Sequence, residues 1–443
     1  MQKVVFDKDF LWGCATASYQ VEGAVDEDGR KPSIWDTFCK QPGAVLNGDD
    51  GSVATDQYHR YKEDVSLMDE LGFQAYRFSI AWPRIIPDGR GKIHMKGVAY
   101  YRNLCDELHS KGMKAVATLY HWDLPQTLQD EGGWTNRATS YAFAEYANAC
   151  FEQLGPYVDQ WITLNEPFCS AFLGHLYGEH APGHTDTRET FDAVHHLNLA
   201  HGLAVKAYRK SGLKAPIGIT LNPIAPREAT RKDEDKKASA LARAVNTEVF
   251  LHPLVRKGYP KLVSETLGIS FPVEKGDMEV IAEPIDFIGI NYYNEGAVAY
   301  DETQPFKYRD VPVWQRKTDM NWPIVPYGLL RLLHYFDEET QGLPLYITEN
   351  GCAAKDEVAE DGRIHDLLRC DYLNEHFAIC KQAIEEGIKL KGYFVWSFLD
   401  NFEWAFGYSK RFGIVYVDYK TQKRIPKDSA YMMRDVIAGY CEY

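Results

Sequence analysis

The chain has 443 residues, 45% of them hydrophobic, and a formal net charge of −14. That acidic balance excludes nucleic acid and anionic membrane surfaces as partners, since both require a basic face. Nor does any run reach the roughly 18 apolar residues of a membrane-spanning helix.

The first residues, MQKVVFDKDFLWG, are interrupted by Asp7 and Asp9 and lack the apolar core of a signal peptide. Nine cysteines are scattered without a Cys-x-x-Cys pair, the pattern of reduced thiols, so a cytoplasmic location is expected. At ~150 residues per domain the length suggests about three domains, but α/β barrels run long as one. No Ser/Gly linker or low-complexity tract divides the chain, so one domain over residues 1–443 is expected.

In chain order, LWGCAT near the start is the first short apolar run. Tyr61, Val65, Met68 and Leu71 then fall at helical spacing, Gly72 can end the helix in the left-handed conformation, and AYRFSI follows as a strand. Val98, Tyr101, Leu104 and Leu108 repeat the stripe, Gly112 stops it, and KAVATLY follows. Leu154-Gly155 leads into QWITLNE, and Gly212 into PIGITLN. The charge run Lys232–Lys237 reads as a solvated helix face or loop. DFIGINYY, LPLYITE and, after Gly387, KGYFVWSF complete eight candidate strands. Helices alternating with fully apolar strands imply a parallel sheet buried on both faces. Eight units fit a closed (β/α)8 barrel, whose active site lies at the C-terminal strand ends.

The strand ends carry polar residues. The second strand holds Arg77, the third ends at His121-Trp122, and the fourth at Asn165-Glu166-Pro167. The fifth ends at Asn222, the sixth at Asn291-Tyr292-Tyr293, the seventh at Glu349-Asn350-Gly351 and the eighth at Trp396. Pro167 lacks an N–H and so ends ladder pairing, and Gly351 permits a sharp exit after Glu349. Taken singly, each has an ordinary explanation: a solvated acid, a paired arginine, a core histidine. Their coincidence on one rim is the signal.

Other chemistries lack their motifs. There is no His-Glu-x-x-His or paired Cys metal set, no Gly-x-Gly-x-x-Gly or Walker loop, and no Gly-x-Ser-x-Gly elbow. His195, His196 and His201 lie in a helical stretch, where packing or surface is the default. No metal and no cofactor are expected. Two carboxylates among amides and aromatic rings are what glycoside hydrolysis needs.

At these residues the sequence resembles glycoside hydrolase family 1, the β-glucosidase family, over essentially its whole length. The matching segments are FLWGCATASYQVEGA, YRFSIAWPRI, TLYHWDLP, TLNEP, GINYY, YITENG and DNFEWAFGYSKRFGI. The resemblance implies one (β/α)8 barrel and a retaining, metal-free hydrolysis of β-glucosides such as cello-oligosaccharides and aryl or alkyl glucosides, with β-galactosides and β-fucosides left open as further substrates. It implies Glu166 as acid/base and Glu349 as nucleophile, with Arg77 and Tyr293 holding Glu349. Gln20, His121, Asn165, Glu403 and Trp404 would bond the sugar hydroxyls, with Trp396 beneath the ring and Trp322 at the aglycone mouth. Trp122, Asn291 and Phe412 join the substrate-binding set. Phe168 stands where relatives often have Trp, which touches aglycone preference and not the chemistry.

Glu403 separates two branches. Relatives that cleave 6-phosphorylated sugars usually replace it with a small residue, whereas a carboxylate here would repel phosphate. Lys410, where such relatives have a phosphate-binding Lys, points the other way. A 6-phospho-β-glucosidase and a sugar-binding pseudoenzyme are the competing readings, and a homo-oligomer is left open. On the preferred reading Arg77 should lower the pKa of Glu349, while burial and the nearby negative charge should raise that of Glu166.

Overall fold

The computed structural model describes residues 6–440. Its eight central strands are β1 (Leu11–Ala15), β2 (Ala75–Ser79), β3 (Lys114–Tyr120), β4 (Gln160–Asn165), β5 (Ile217–Leu221), β6 (Phe287–Asn291), β7 (Leu345–Asn350) and β8 (Leu390–Trp396). Each pairs in parallel with its sequence neighbours, and β1 also pairs with β8, which closes the barrel. All eight expected strands are present, and helices join successive strands as anticipated. Among the described residues no helix is long and apolar enough to cross a membrane.

The helix Gln57–Glu70 buries Val65 and Met68, with Leu71 just beyond its end. Gly72 then turns the chain into β2 with a φ of +77°, which a Cβ would strain. Helix Met95–Ser110 repeats this, burying Val98, Tyr101, Leu104 and Leu108. Gly155 differs: its φ is −50°, and its requirement is the Leu213 side chain, which would lie 2.6 Å from an added Cβ.

The charge run resolves into helix Asp233–Arg243. Its Asp235 is not solvated but buried, accepting from Thr230 Oγ1 at 2.5 Å and the Tyr300 amide at 2.8 Å. His195, His196 and His201 are packing residues within helix Thr187–Ser211, bonded to Asp277 and Tyr259, to the Trp134 carbonyl, and to Thr163 respectively.

Ala75, Val116, Ile162, Phe287 and Phe394, from five strands, form a buried cluster separate from the larger core between strands and helices. These side chains plug the barrel. Two residues further along β2, β3 and β8 lie Arg77, Thr118 and Trp396, all buried. Because side chains alternate along a strand, the interior changes from an apolar floor to a polar rim over one repeat.

The rim is braced by a buried ionic network. Lys427 Nζ lies 2.5 Å from Asp356 and 2.7 Å from Asp400. Arg369 pairs with Asp356 and Asp366 and donates to the carbonyls of Cys352 and Arg411. Arg411 Nη1 reaches Asp400 at 2.6 Å. The loops leaving β7 and β8 are therefore tied to each other and to helix Leu367–Glu385. Each charge needs its partners, because an unpaired ion in such a site costs several kcal/mol.

Candidate active site

Glu349 lies inside β7, whereas Glu166 is the first residue past β4. Glu166 leaves the ladder with a φ of +47°, while its amide still donates to the Thr220 carbonyl at 2.9 Å. Two other rim residues, Trp122 and Trp404, share this left-handed backbone with φ of +76° and +50°. Such conformations cost non-glycine residues on the order of 1–3 kcal/mol and cluster where side chains must be aimed. Gly351 departs from the expectation of a sharp turn, since its φ is not positive. A Cβ there would lie 1.8 Å from the Trp396 carbonyl oxygen, so close approach of the two strand ends demands the glycine.

Asn291 Nδ2 donates to Glu166 Oε1 at 2.6 Å and to Asn165 Oδ1 at 3.0 Å. Its orientation is fixed, because Asn291 Oδ1 accepts from Thr348 Oγ1 at 2.7 Å. Arg77 spans Glu349 Oε1 at 2.5 Å and Asn165 Oδ1 at 2.6 Å. Tyr293 donates its hydroxyl to Glu349 Oε2 at 2.7 Å. Asn165 Oδ1 also accepts from Asn291, so its Nδ2 is the group that meets His121 Nε2 at 3.0 Å. His121 Nε2 must therefore accept, which places the ring proton on Nδ1. Burial first and the Arg77 charge second hold His121 well below the usual range, so it is neutral.

The two carboxyls differ electrostatically. Glu166 is pushed up to about 8 by burial and, next, by the charge of Glu349. Glu349 is also raised by burial, opposed by Arg77, Tyr293 and Asn291. Arg77 thus acts in the expected direction, but burial outweighs it, so the anticipated net lowering is not found. Because Glu349 alone has a cation and a phenol on its oxygens, it ionises first and Glu166 keeps the proton. Glu403, in the wall, is pushed up to about 8 by burial, then by Glu349 and Glu166.

A cavity of about 450 Å³ opens over the carboxyls. His121, Trp122, Asn291, Tyr293, Trp322, Trp396, Glu403, Trp404 and Phe412 line it with both glutamates, as the sequence anticipates. The planes of Trp396 and Trp404 lie 20° and 17° from that of His121, and Trp322 packs against Tyr293 and Phe412. Flat rings of this kind suit the C–H faces of a pyranose.

Gln20, Arg77 and Asn165 stand behind the wall and do not line it. Gln20 Nε2 is held by Asn401 and the Phe402 carbonyl, leaving Oε1 buried and unpartnered. Asn165 directs one N–H to His121 and spends its oxygen on Arg77 and Asn291, so it organises the site more than it offers itself to a ligand.

Cys169, Glu179, His180, Met320 and Phe406 also line the cavity and were not anticipated. Cys169 had a signal, three residues beyond Glu166 on a helical turn. The others arrive on loops whose path no periodicity reveals. Among the described residues, no group of three or more His, Cys, Asp or Glu side chains is placed to hold a metal ion.

The profile of Glycosyl hydrolase family 1 matches residues 2–440. The chain is 50% identical over 438 residues to beta-glucosidase A of Thermotoga maritima, covering 98% of this chain and 97% of that protein. It is 49% identical to the 1,4-beta-D-glucan glucohydrolase of Thermotoga neapolitana over 434 residues, 98% of each chain. The solved structure of a family 1 β-glucosidase from Thermotoga maritima superposes with a TM-score of 0.98 at 49% identity, covering 100% of both chains. Barrel, paired carboxyls and full-length similarity agree, and the chain belongs to glycosyl hydrolase family 1.

Proposed function

We propose that the protein is a retaining β-glucosidase that removes terminal non-reducing β-D-glucosyl residues, with Glu349 as nucleophile and Glu166 as acid/base. The observation that carries this is a pair of buried carboxyls held in opposite ways, Glu349 by the Arg77 cation and the Tyr293 phenol and Glu166 by the neutral Asn291 amide with its proton affinity raised. Retaining glycosidases need the pair roughly 5–5.5 Å apart, one ionised to attack carbon and one protonated to free the leaving group.

Glu349, held by Arg77 and Tyr293, attacks the anomeric carbon as Glu166 gives its proton to the departing oxygen. The resulting ester removes the charge of Glu349, which is the second cause of the raised affinity of Glu166. Glu166 then becomes a stronger acid, so its ionised form is available as base toward water. That water attacks the anomeric carbon, releases glucose with its original configuration, and returns the proton to Glu166.

Glucose is favoured over a 6-phosphorylated sugar. Glu403 remains in the wall, and Lys410 is occupied by Asp319, with Nζ 2.9 Å from Oδ2 and 2.7 Å from the carbonyl oxygen. A pseudoenzyme would lack one carboxyl, and both are present.

The test is hydrolysis of an aryl β-glucoside and of cellobiose, followed by proton NMR before mutarotation. β-Glucose should appear first. An initial α-anomer would overturn retention, absence of turnover would leave the pseudoenzyme, and a strong preference for cellobiose 6-phosphate would reassign the substrate.

A further inference from the structure

We propose that Cys169 is a positioning residue for the acid/base, its thiol, backed by Asn222, holding the Glu166 oxygen that carries the transferred proton. The proposal rests on the acid/base assignment of Glu166 above.

The two oxygens of Glu166 are held differently. Oε1 accepts Asn291 Nδ2 at 2.6 Å, and the Thr348 hydroxyl prevents that amide from turning round. An oxygen that accepts this N–H serves as the carbonyl oxygen of the neutral acid, so the proton belongs on Oε2. Oε2 lies 3.1 Å from Cys169 Sγ, and Asn222 Nδ2 donates to the same sulfur at 3.4 Å. Glu166, Cys169 and Asn222 all line the cavity. The helical turn after Pro167 brings Cys169, at i+3, back over the Glu166 carboxyl.

With Asn222 on one side of the sulfur, the S–H is directed toward Oε2. Burial and the neighbouring carboxyls keep Cys169 a thiol, able to donate. A thiol is a weak donor and a weak acceptor, which suits an oxygen that is protonated in one step and charged in the next. A hydroxyl would favour the ionised form more strongly, and an alkyl group would not follow the proton at all. The other groups facing Glu166 are Glu349 on β7, Arg77 on β2, Tyr293 after β6 and Glu403 after β8. None changes when Cys169 is replaced, so a shift in the titration of Glu166 reports the thiol.

The experiment is the pH profile of kcat/KM for an alkyl β-glucoside in Cys169→Ala, Cys169→Val, Cys169→Ser and Asn222→Ala. Loss of a donor to the charged form raises proton affinity. The alkaline limb should move up by about half a pH unit in the Ala and Val variants, roughly threefold in proton affinity. It should return to or below the wild-type position in Cys169→Ser and move up by less in Asn222→Ala. If Ala and Val leave the limb in place, or if Ser moves with Ala, Cys169 only fills space and the proposal is overturned. Should the Ala and Val variants not fold, Asn222→Ala decides: no upward movement there overturns it equally. Glu166→Ala run beside them separates the two readings, since an alkaline limb that persists there defeats the acid/base assignment itself.

Discussion

Arg77 and Glu349 form a buried ion pair with Nη1 2.5 Å from Oε1, and the other arm of the same guanidinium reaches Asn165 Oδ1 at 2.6 Å. One planar cation therefore fixes both the Glu349 carboxylate and the amide that orients His121. An ammonium cannot copy that fork. Arg77→Lys should keep the fold and lower kcat/KM for glucosides. Charged hydrogen bonds contribute ~1.5–3 kcal/mol each, so loss of one implies roughly tenfold to 150-fold. Because Arg77 opposes the rise in Glu349 proton affinity, the acidic limb of the profile should also move to higher pH. An unmoved limb with normal kcat/KM would show that Arg77 does not hold the nucleophile.

Glu349→Ala should abolish turnover and regain part of it in azide. The anion fits the vacated space and attacks the anomeric carbon from the side the carboxylate used, giving an α-glucosyl azide detectable by NMR. Full activity without azide, or a β-configured product, would refute the nucleophile assignment.

Glu166→Ala should separate substrates by leaving group. Dinitrophenolate departs without a proton, so glycosylation of Glu349 stays fast and a phenolate burst precedes a slow steady state. Cellobiose and alkyl glucosides need the proton, and positioned acid catalysis contributes ~10²–10⁴-fold. The wild-type alkaline limb, expected near the value of about 8 to which Glu166 is raised, should disappear. Equal losses for all substrates with the limb intact would mean that another group is the acid.

Glu403 has a stability signature as well as a kinetic one. Its proton affinity in the fold, about 8, is above the ordinary carboxyl value of 4.5. Protonation is favoured by folding, so its contribution is fully present below pH ~4.5 and is lost as pH rises through about 8. Glu403→Gln removes the ionisation, so its Tm relative to wild type should rise between pH 5 and pH 9, by roughly 1–3 °C. A Tm difference independent of pH would contradict the raised affinity. Glu403→Ala should lower kcat/KM for glucosides by about tenfold or more, through loss of its hydrogen bonds to the sugar hydroxyls.

The sequence by itself determined the barrel and most of its rim. Stripes such as Val98-Tyr101-Leu104-Leu108 and runs such as KAVATLY are local patterns, and burial on one helix face or both strand faces imposes them residue by residue. Glu166 and Glu349 were legible for the same reason, since a strand that ends at a rim announces its last residues. Tertiary structure alone decided what lies between strands: the Asn291 amide on Glu166, the capture of Lys410 by Asp319, the retreat of Gln20 and Asn165 behind the wall, and the thiol of Cys169 on Glu166. It also decided the proton affinities. Arg77 was identified as the partner of Glu349, but its effect had to compete with desolvation, and desolvation depends on every neighbouring element at once. A linear sequence states which groups are present; how much water each has lost is a property of the closed barrel.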